Sequence, residues 1–217
     1  MNELEKMKLL VVTGASADEM TYRLWEQVWI QTFFELEGAR DLSSDNFTRQ
    51  HEILSLTLGG ECIALVCHRY VDLSFPASHK DSYFKPWPKE VMKKLGQAGP
   101  HVAIGSQITI HPEFRQSKNP LKIKNIITYL SLRCLKEKKI DAVTGVMRAD
   151  KGMNNLFYQC GAEPLLKGIL LHNVPVDLLA FFPKRAPLRI PLDYSDMIEK
   201  FWINRKSNNL MELPKAA

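Results

Sequence analysis

The stretch that most narrows what this chain can fold into runs from Val102 to Lys139. Val102 to Ile110 alternates as a strand does, with Ile104, Ile108 and Ile110 expected on one face and Gln107 and Thr109 on the other. His111-Pro112 ends it, because the residue before a proline is driven out of helical backbone and proline cannot donate to a sheet. Asn119 then reads as a helix N-cap and Pro120 as the first helical position, followed by Ile123, Ile126, Ile127, Leu130 and Cys134 at helical spacing up to about Lys139. A buried strand feeding directly into an amphipathic helix points to a layered sheet-and-helix protein.

The flanking segments repeat that alternation. Lys8 to Val12 reads as a short buried strand, and Ser16 with Glu19 as a capping box opening a helix that runs to about Gly38. Met20, Leu24 and Val28, with Trp25, Trp29, Phe33 and Leu36 beside them, give that helix a wide apolar face. His51 to Leu58 and Glu61 to Leu73 flank Gly59-Gly60 as a hairpin. A loop from Ser74 to Pro88 precedes a short helix, Lys89 to Leu95, and Ile140 to Val146 is a further strand. Lys151 to Cys160 reads as a helix, and Leu165 to Leu171 and Val174 to Phe182 as two more strands. The expected class is therefore α/β or α+β, a mixed central sheet of about six or seven strands flanked by helices. One domain is expected over residues 1–183, with residues 184–217 a basic, proline-rich extension carrying a helix around Tyr194 to Ile203 and a disordered tail.

Composition bounds the function classes. With 45% hydrophobic and 24% charged residues, the 217-residue chain is an ordinary globular sequence with one sizeable core. The N-terminus lacks a signal-peptide pattern, no apolar run approaches the roughly 18 residues of a membrane span, and Cys62, Cys67, Cys134 and Cys160 show no CxxC spacing. A reduced, cytoplasmic protein without integral membrane association is expected. Twenty-nine basic against 24 acidic residues leave a net charge of +5, which suits acidic partners and serves solubility equally.

Several chemistries lose support. Gly14 stands alone, so there is neither a Walker A loop nor a dinucleotide-binding glycine pattern. The six histidines lie far apart, with no HExxH and no cysteine partners at zinc spacing, so no metal is expected. No G-x-S-x-G is present, and each cysteine reads as core. The lysines and arginines between Lys118 and Lys139 read as a solvated helix face, and no nucleic-acid partner is expected. Arg115, Gln116, Ser117, Lys118 and Asn119, between the strand end and the helix start, read either as an anion site at a helix N-terminus or as a solvated basic turn.

Ile108-Thr109-Ile110-His111-Pro112-Glu113-Phe114-Arg115-Gln116 resembles the fourth-strand signature of the GNAT-like N-acyltransferases, V-x-P-x-x-R, and Asn154 to Ala162 resembles that family's Y-x-x-G-F helix ending. Thr21-Tyr22-Arg23-Leu24-Trp25, Asp45-Asn46-Phe47, His51 and His68-Arg69 resemble the front half of the acyl-homoserine lactone and N-acyl amino acid synthases within it. The resemblance covers roughly residues 8 to 182. It implies a GNAT-like fold whose central strand splays from its neighbour, and an N-acyltransferase that passes an acyl group, long-chain by this likeness, to an amino-acid-like amine by direct attack on the thioester. No cofactor is held permanently. The donor is an acyl-phosphopantetheine on acyl carrier protein or on coenzyme A, the former being a possible protein partner. Ile108, Thr109, Ile110, Arg115, Gln116, Ser117, Lys118 and Asn119 would hold the donor, a strand-four amide would polarise the carbonyl, and Tyr158 would assist the leaving thiolate or else be a core tyrosine. Arg23, Trp29, Asp45 and Arg69 would face the acceptor, or form ion pairs that orient the first helix. Phe75, Tyr83, Phe84, Trp87 and the first helix would line an acyl pocket or belong to the core.

The sequence also departs from the family. Ser117, Lys118, Asn119 and Pro120 stand where glycines are usual, which suits a carrier-borne single phosphate or marks lost donor binding. Ile104 falls where an acidic residue is common, so no base is assigned. A non-catalytic ligand-binding module on the same fold is the alternative.

Overall fold

The computed structural model describes residues 3–115 and 122–207. In chain order its elements are α1 Glu3–Lys6, β1 Met7–Val12, α2 Glu19–Glu37, α3 Asp45–Thr48, β2 Glu52–Leu58, β3 Glu61–Asp72, α4 Lys89–Gly96, β4 His101–Ile110, α5 Ile123–Lys136, β5 Ala142–Arg148, α6 Met153–Gln159, β6 Glu163–Leu171, β7 Val174–Phe181, α7 Leu192–Ile203 and β8 Lys206–Ser207. The strands form one sheet in the order β6-β7-β5-β4-β3-β2-β1-β8. The eighth strand, two residues long, lies parallel to β1 and takes the count beyond the six or seven expected.

Helices cover both faces. On one, α2 packs Leu24, Trp25 and Val28 against Leu65 and Cys67 of β3, and α4 packs Val91 and Leu95 over Val102 and Ile104 of β4. On the other, α5 buries Ile123, Ile126, Ile127 and Leu130 in the largest core, together with Leu156 and Phe157 of α6 and Ile198, Phe201 and Trp202 of α7. Each fully buried aliphatic side chain of this kind contributes about 1.5–3 kcal/mol from the area it removes from water.

Three local expectations change. The cap of α2 is Asp18, whose carboxylate accepts the Thr21 amide at 2.9 Å, while Ser16 closes a short 3-10 turn, Gly14–Ser16. Met20 is 46% exposed and Thr21 takes the buried place, because the start of the helix sets its phase against the sheet. Asn119 and Pro120 lie outside the described residues. Lys122 has non-helical backbone (ψ 82°), so α5 begins at Ile123, three residues later than expected.

The face assignment on β4 also changes. Leu65 faces Thr109 and Cys67 faces Ser106, so three steps on β4 match two on β3, which is a β-bulge. Gln107 occupies it at φ 52°. The extra residue inverts the alternation: Ile104 packs with α4, whereas Ile108 and Ile110 turn to the α5 side.

Candidate functional site

β4 and β5 run parallel and pair only at Val102 with Ala142, Ala103 with Val143 and Ile104 with Thr144. Beyond these the strands part, β5 continuing beside β7 and β4 beside β3. The expected splayed pair is present. Its physical cause is the bulge, which bends β4 just past its last pair with β5. Gly105 and Gly145 stand at the fork, where a Cβ on Gly145 would come within 3.0 Å of the Gly105 carbonyl.

The backbone beyond the fork is oriented by its pairing. The His111 amide donates to Ile63 O at 2.9 Å, so Thr109 and His111 turn their polar groups to β3, while those of Ile108 and Ile110 turn into the gap. The Ile110 carbonyl there accepts Arg115 Nε at 2.8 Å. Below the gap lies an apolar crevice of about 10 Å³, lined by Gly105, Ile108, Ser131, Leu132, Leu135, Met147, Phe157 and their neighbours.

The bulge is held from α2. Trp25 Nε1 donates to Gln107 Oε1 at 2.8 Å, and Trp29 Nε1 donates to Thr109 Oγ1 at 3.0 Å. Thr109 Oγ1 in turn donates to the Gln107 carbonyl at 2.9 Å. Thr109 is fully buried, so its side chain clamps the strand and does not enter the gap. Trp29, expected to face an acceptor, supplies one arm of that clamp.

Other candidates are scattered. Gln116, Ser117, Lys118 and Asn119 lie outside the described residues. Arg23 pairs with Glu19 on the solvent face of α2, both side chains 72% exposed. Asp45 opens α3 and is bonded by Ser43 Oγ, and Arg69 is buried and paired with Asp81 at 2.8 Å, tying the 74–88 loop to β3. These three are not brought together. Tyr83, Phe84 and Trp87 pack in the core beneath α4, while Phe75 is 65% exposed, so the crevice is walled from the α5 and α6 side instead.

Tyr158 is not among the crevice residues. Its hydroxyl donates to Asp177 Oδ2 of β7 at 2.7 Å, alongside Asn154 Nδ2 at 2.7 Å, while the Gly168 amide donates to Oδ1 at 2.8 Å. Burial first, and then this bond to a carboxylate, push the phenol well above its ordinary range. Burial alone would raise Asp177, but its three donors outweigh it and hold the carboxyl below its ordinary value.

The α5-covered face also assembles residues that spacing did not reveal. His68, Glu52 and Cys134 place a ring nitrogen, a carboxylate oxygen and a thiol sulfur within 4.8 Å of one another, and His68 Nε2 lies 2.7 Å from Ser131 Oγ. Burial would raise Glu52, yet Lys138 Nζ at 2.5 Å and the Tyr70 hydroxyl keep its carboxyl below the ordinary value. The one sequence sign was a histidine directly after the apolar run from Cys62 to Cys67.

No protein-family model matches the chain, and no curated protein matches it in sequence. Solved structures do match in shape. The AHL synthase LasI superposes with a TM-score of 0.57 at 14% identity over 80% of this chain and 88% of its own. FeeM, an N-acyl amino acid synthase from uncultured soil microbes, gives 0.56 at 14% identity over 81% and 89%. BjaI, a coenzyme A-dependent acyl-homoserine lactone synthase, gives 0.56 at 11% identity over 93% of both chains. The chain shares the fold of these structures, the GNAT-like fold.

Proposed function

We propose that this protein is an N-acyltransferase whose acyl-thioester donor lies in the fork between β4 and β5. The observation that carries this reading is the parting of the two strands after Ile104 and Thr144, with the backbone of Ile108 and Ile110 turned into the gap. A pantetheine arm is a chain of amides, and amides bind to a strand edge by the same hydrogen bonds that a missing neighbour would have made. In that position the Ile108 amide polarises the thioester carbonyl and stabilises the oxyanion that forms on amine attack. Arg115, bonded to Ile110 at the strand end, brings its charge to the mouth of the fork, and with Lys118 holds the donor phosphate.

The acyl group is long-chain and the acceptor an amino-acid-like amine. Support comes from the shape shared with an AHL synthase and an N-acyl amino acid synthase, and from the apolar walls Leu132, Leu135, Met147, Phe157, Leu179 and Phe181, which a long chain must part, since the crevice between them is only about 10 Å³. Acyl carrier protein is the proposed carrier, because a net charge of +5 favours an acidic partner.

Decanoyl-acyl carrier protein and decanoyl-coenzyme A, each with a panel of amino acids, test this by mass spectrometry of the acyl amide. Donor alone must also stabilise the fold: about 2.7 kcal/mol at a hundredfold excess over Kd, which is about 5–10 °C in Tm for a chain of this size. Arg115→Ala should weaken that shift, and rising salt should weaken it in the wild type. No amide from either donor, or no shift with either, overturns the reading.

A further inference from the structure

His68 sits on β3 opposite Gly105 of β4, at the level where the fork opens, and is fully buried. Its Nε2 lies 2.7 Å from the Ser131 hydroxyl on α5. Its Nδ1 has no hydrogen-bond partner among the described residues, although a ring nitrogen of His68 is within 4.8 Å of the Glu52 carboxylate. A core imidazole with one orphaned nitrogen carries a desolvation cost that a leucine at the same place would avoid. Ser131, itself buried, links this histidine to the gap: it belongs to the wall of the narrow crevice that Gly105 and Ile108 also line, and a bound acceptor must widen that crevice to reach its hydroxyl.

We propose that Ser131 and His68 form the proton-removing pair for the acceptor amine, a role that rests on the acyltransferase reading and that no residue had filled. The acceptor enters as the free amine, its ammonium proton already lost to solvent, and its lone pair forms the C–N bond at the thioester carbonyl, whose π electrons move to the oxygen facing the Ile108 amide. The amine proton passes to Ser131 Oγ as the Ser131 proton passes to His68 Nε2. Collapse breaks the C–S bond, and the proton held on His68 returns through Ser131 to the thiolate, leaving amide and thiol. Ser131 is the catalytic residue, because its hydroxyl meets the reacting nitrogen, and His68 acts through it.

The surroundings suit each partner. Burial lowers the imidazole to about 4, so His68 enters the reaction neutral with Nε2 open to a proton. Nε2 as acceptor leaves the other proton on Nδ1, and the nearby Glu52 carboxylate favours the imidazolium that forms during the transfer. Tyr70, Lys138 and Cys134 hold that carboxylate in place.

The test compares Ser131→Ala and His68→Gln with wild type on two acceptors: the best amino acid of the panel, and methoxyamine, whose much less basic nitrogen sheds its proton to water once the C–N bond has formed. Loss of a proton acceptor should lower kcat/KM for the amino acid at least about 100-fold. Methoxyamine should rescue both variants to within a few-fold of wild type, with the donor-induced Tm shift unchanged, and Ser131→Thr should restore amino-acid transfer. Variants as active as wild type on the amino acid overturn the pair alone. Equal losses on both acceptors also overturn it, by assigning His68 and Ser131 a packing role. A wild-type chain that binds donor yet transfers to neither acceptor overturns the acyltransferase reading and the pair with it.

Discussion

Gly145→Ala puts the fork itself to the test. A Cβ at this position would lie 2.7 Å from the Met147 methyl carbon and 3.0 Å from the Gly105 carbonyl oxygen. Met147 is a flexible side chain, but it is only 6% exposed and has little room to move. The carbonyl is backbone, and shifting it means shifting β4. Overpacking of this kind costs about 1–3 kcal/mol, against about 0.4–1 kcal/mol gained by restricting the unfolded chain. The net expectation is a loss of about 1–2 kcal/mol, or roughly 2–8 °C in Tm at 2–4 °C per kcal/mol. Gly105→Ala is the internal control, because its Cβ would meet only Thr144 O at an ordinary 3.9 Å. It should melt at or slightly above wild type while its methyl, entering the crevice, weakens the donor-induced shift. Urea melts of the three proteins, with and without donor, separate these effects. Gly145→Ala melting at or above wild type, or Gly105→Ala melting well below it, would refute the strand placement on which the fork depends.

Trp29→Phe removes the indole donor to the buried Thr109 hydroxyl and should cost about 0.5–1.5 kcal/mol in a urea melt, with a fall in donor affinity as the bulge loosens. Tyr158→Phe takes one of three donors from Asp177 and should cost about 1.5–3 kcal/mol. Asp177's folded pKa lies below its unfolded value, so its contribution is complete above the ordinary carboxylate range and lost as pH falls through the folded pKa. The variant should therefore lose less stability than wild type on acidification, read from Tm against pH. An unchanged melting curve with lowered turnover would instead place the hydroxyl at the thioester. All four cysteines are buried, with burial raising each thiol and Cys160 reaching about 11. A thiol reagent should label the native protein far more slowly than the urea-unfolded chain, and rapid labelling of any one thiol at neutral pH would contradict its burial.

The sequence alone determined what depends on neighbours a few residues apart. The strand ending at His111-Pro112, the Gly59-Gly60 hairpin, the helix closed by Gly38 and the apolar rows of α2 and α5 follow from periodicities of two and 3.6 and from turn and cap residues that act locally. The family-like run from Ile108 to Arg115 likewise marked the strand that opens the fork. Tertiary structure decided the rest, because register and packing join residues whose spacing carries no signal. One extra residue at Gln107 sends Ile104 and Ile108 to opposite faces, and Trp25 and Trp29, 82 and 80 residues from Gln107 and Thr109, hold the bulge there. His68 meets Ser131 across 63 residues, and Tyr158 is drawn to Asp177 on β7 instead of the gap. Alternation tells a strand which side is buried; which polar groups share that buried side is settled only when β3, β4 and α5 close upon one another.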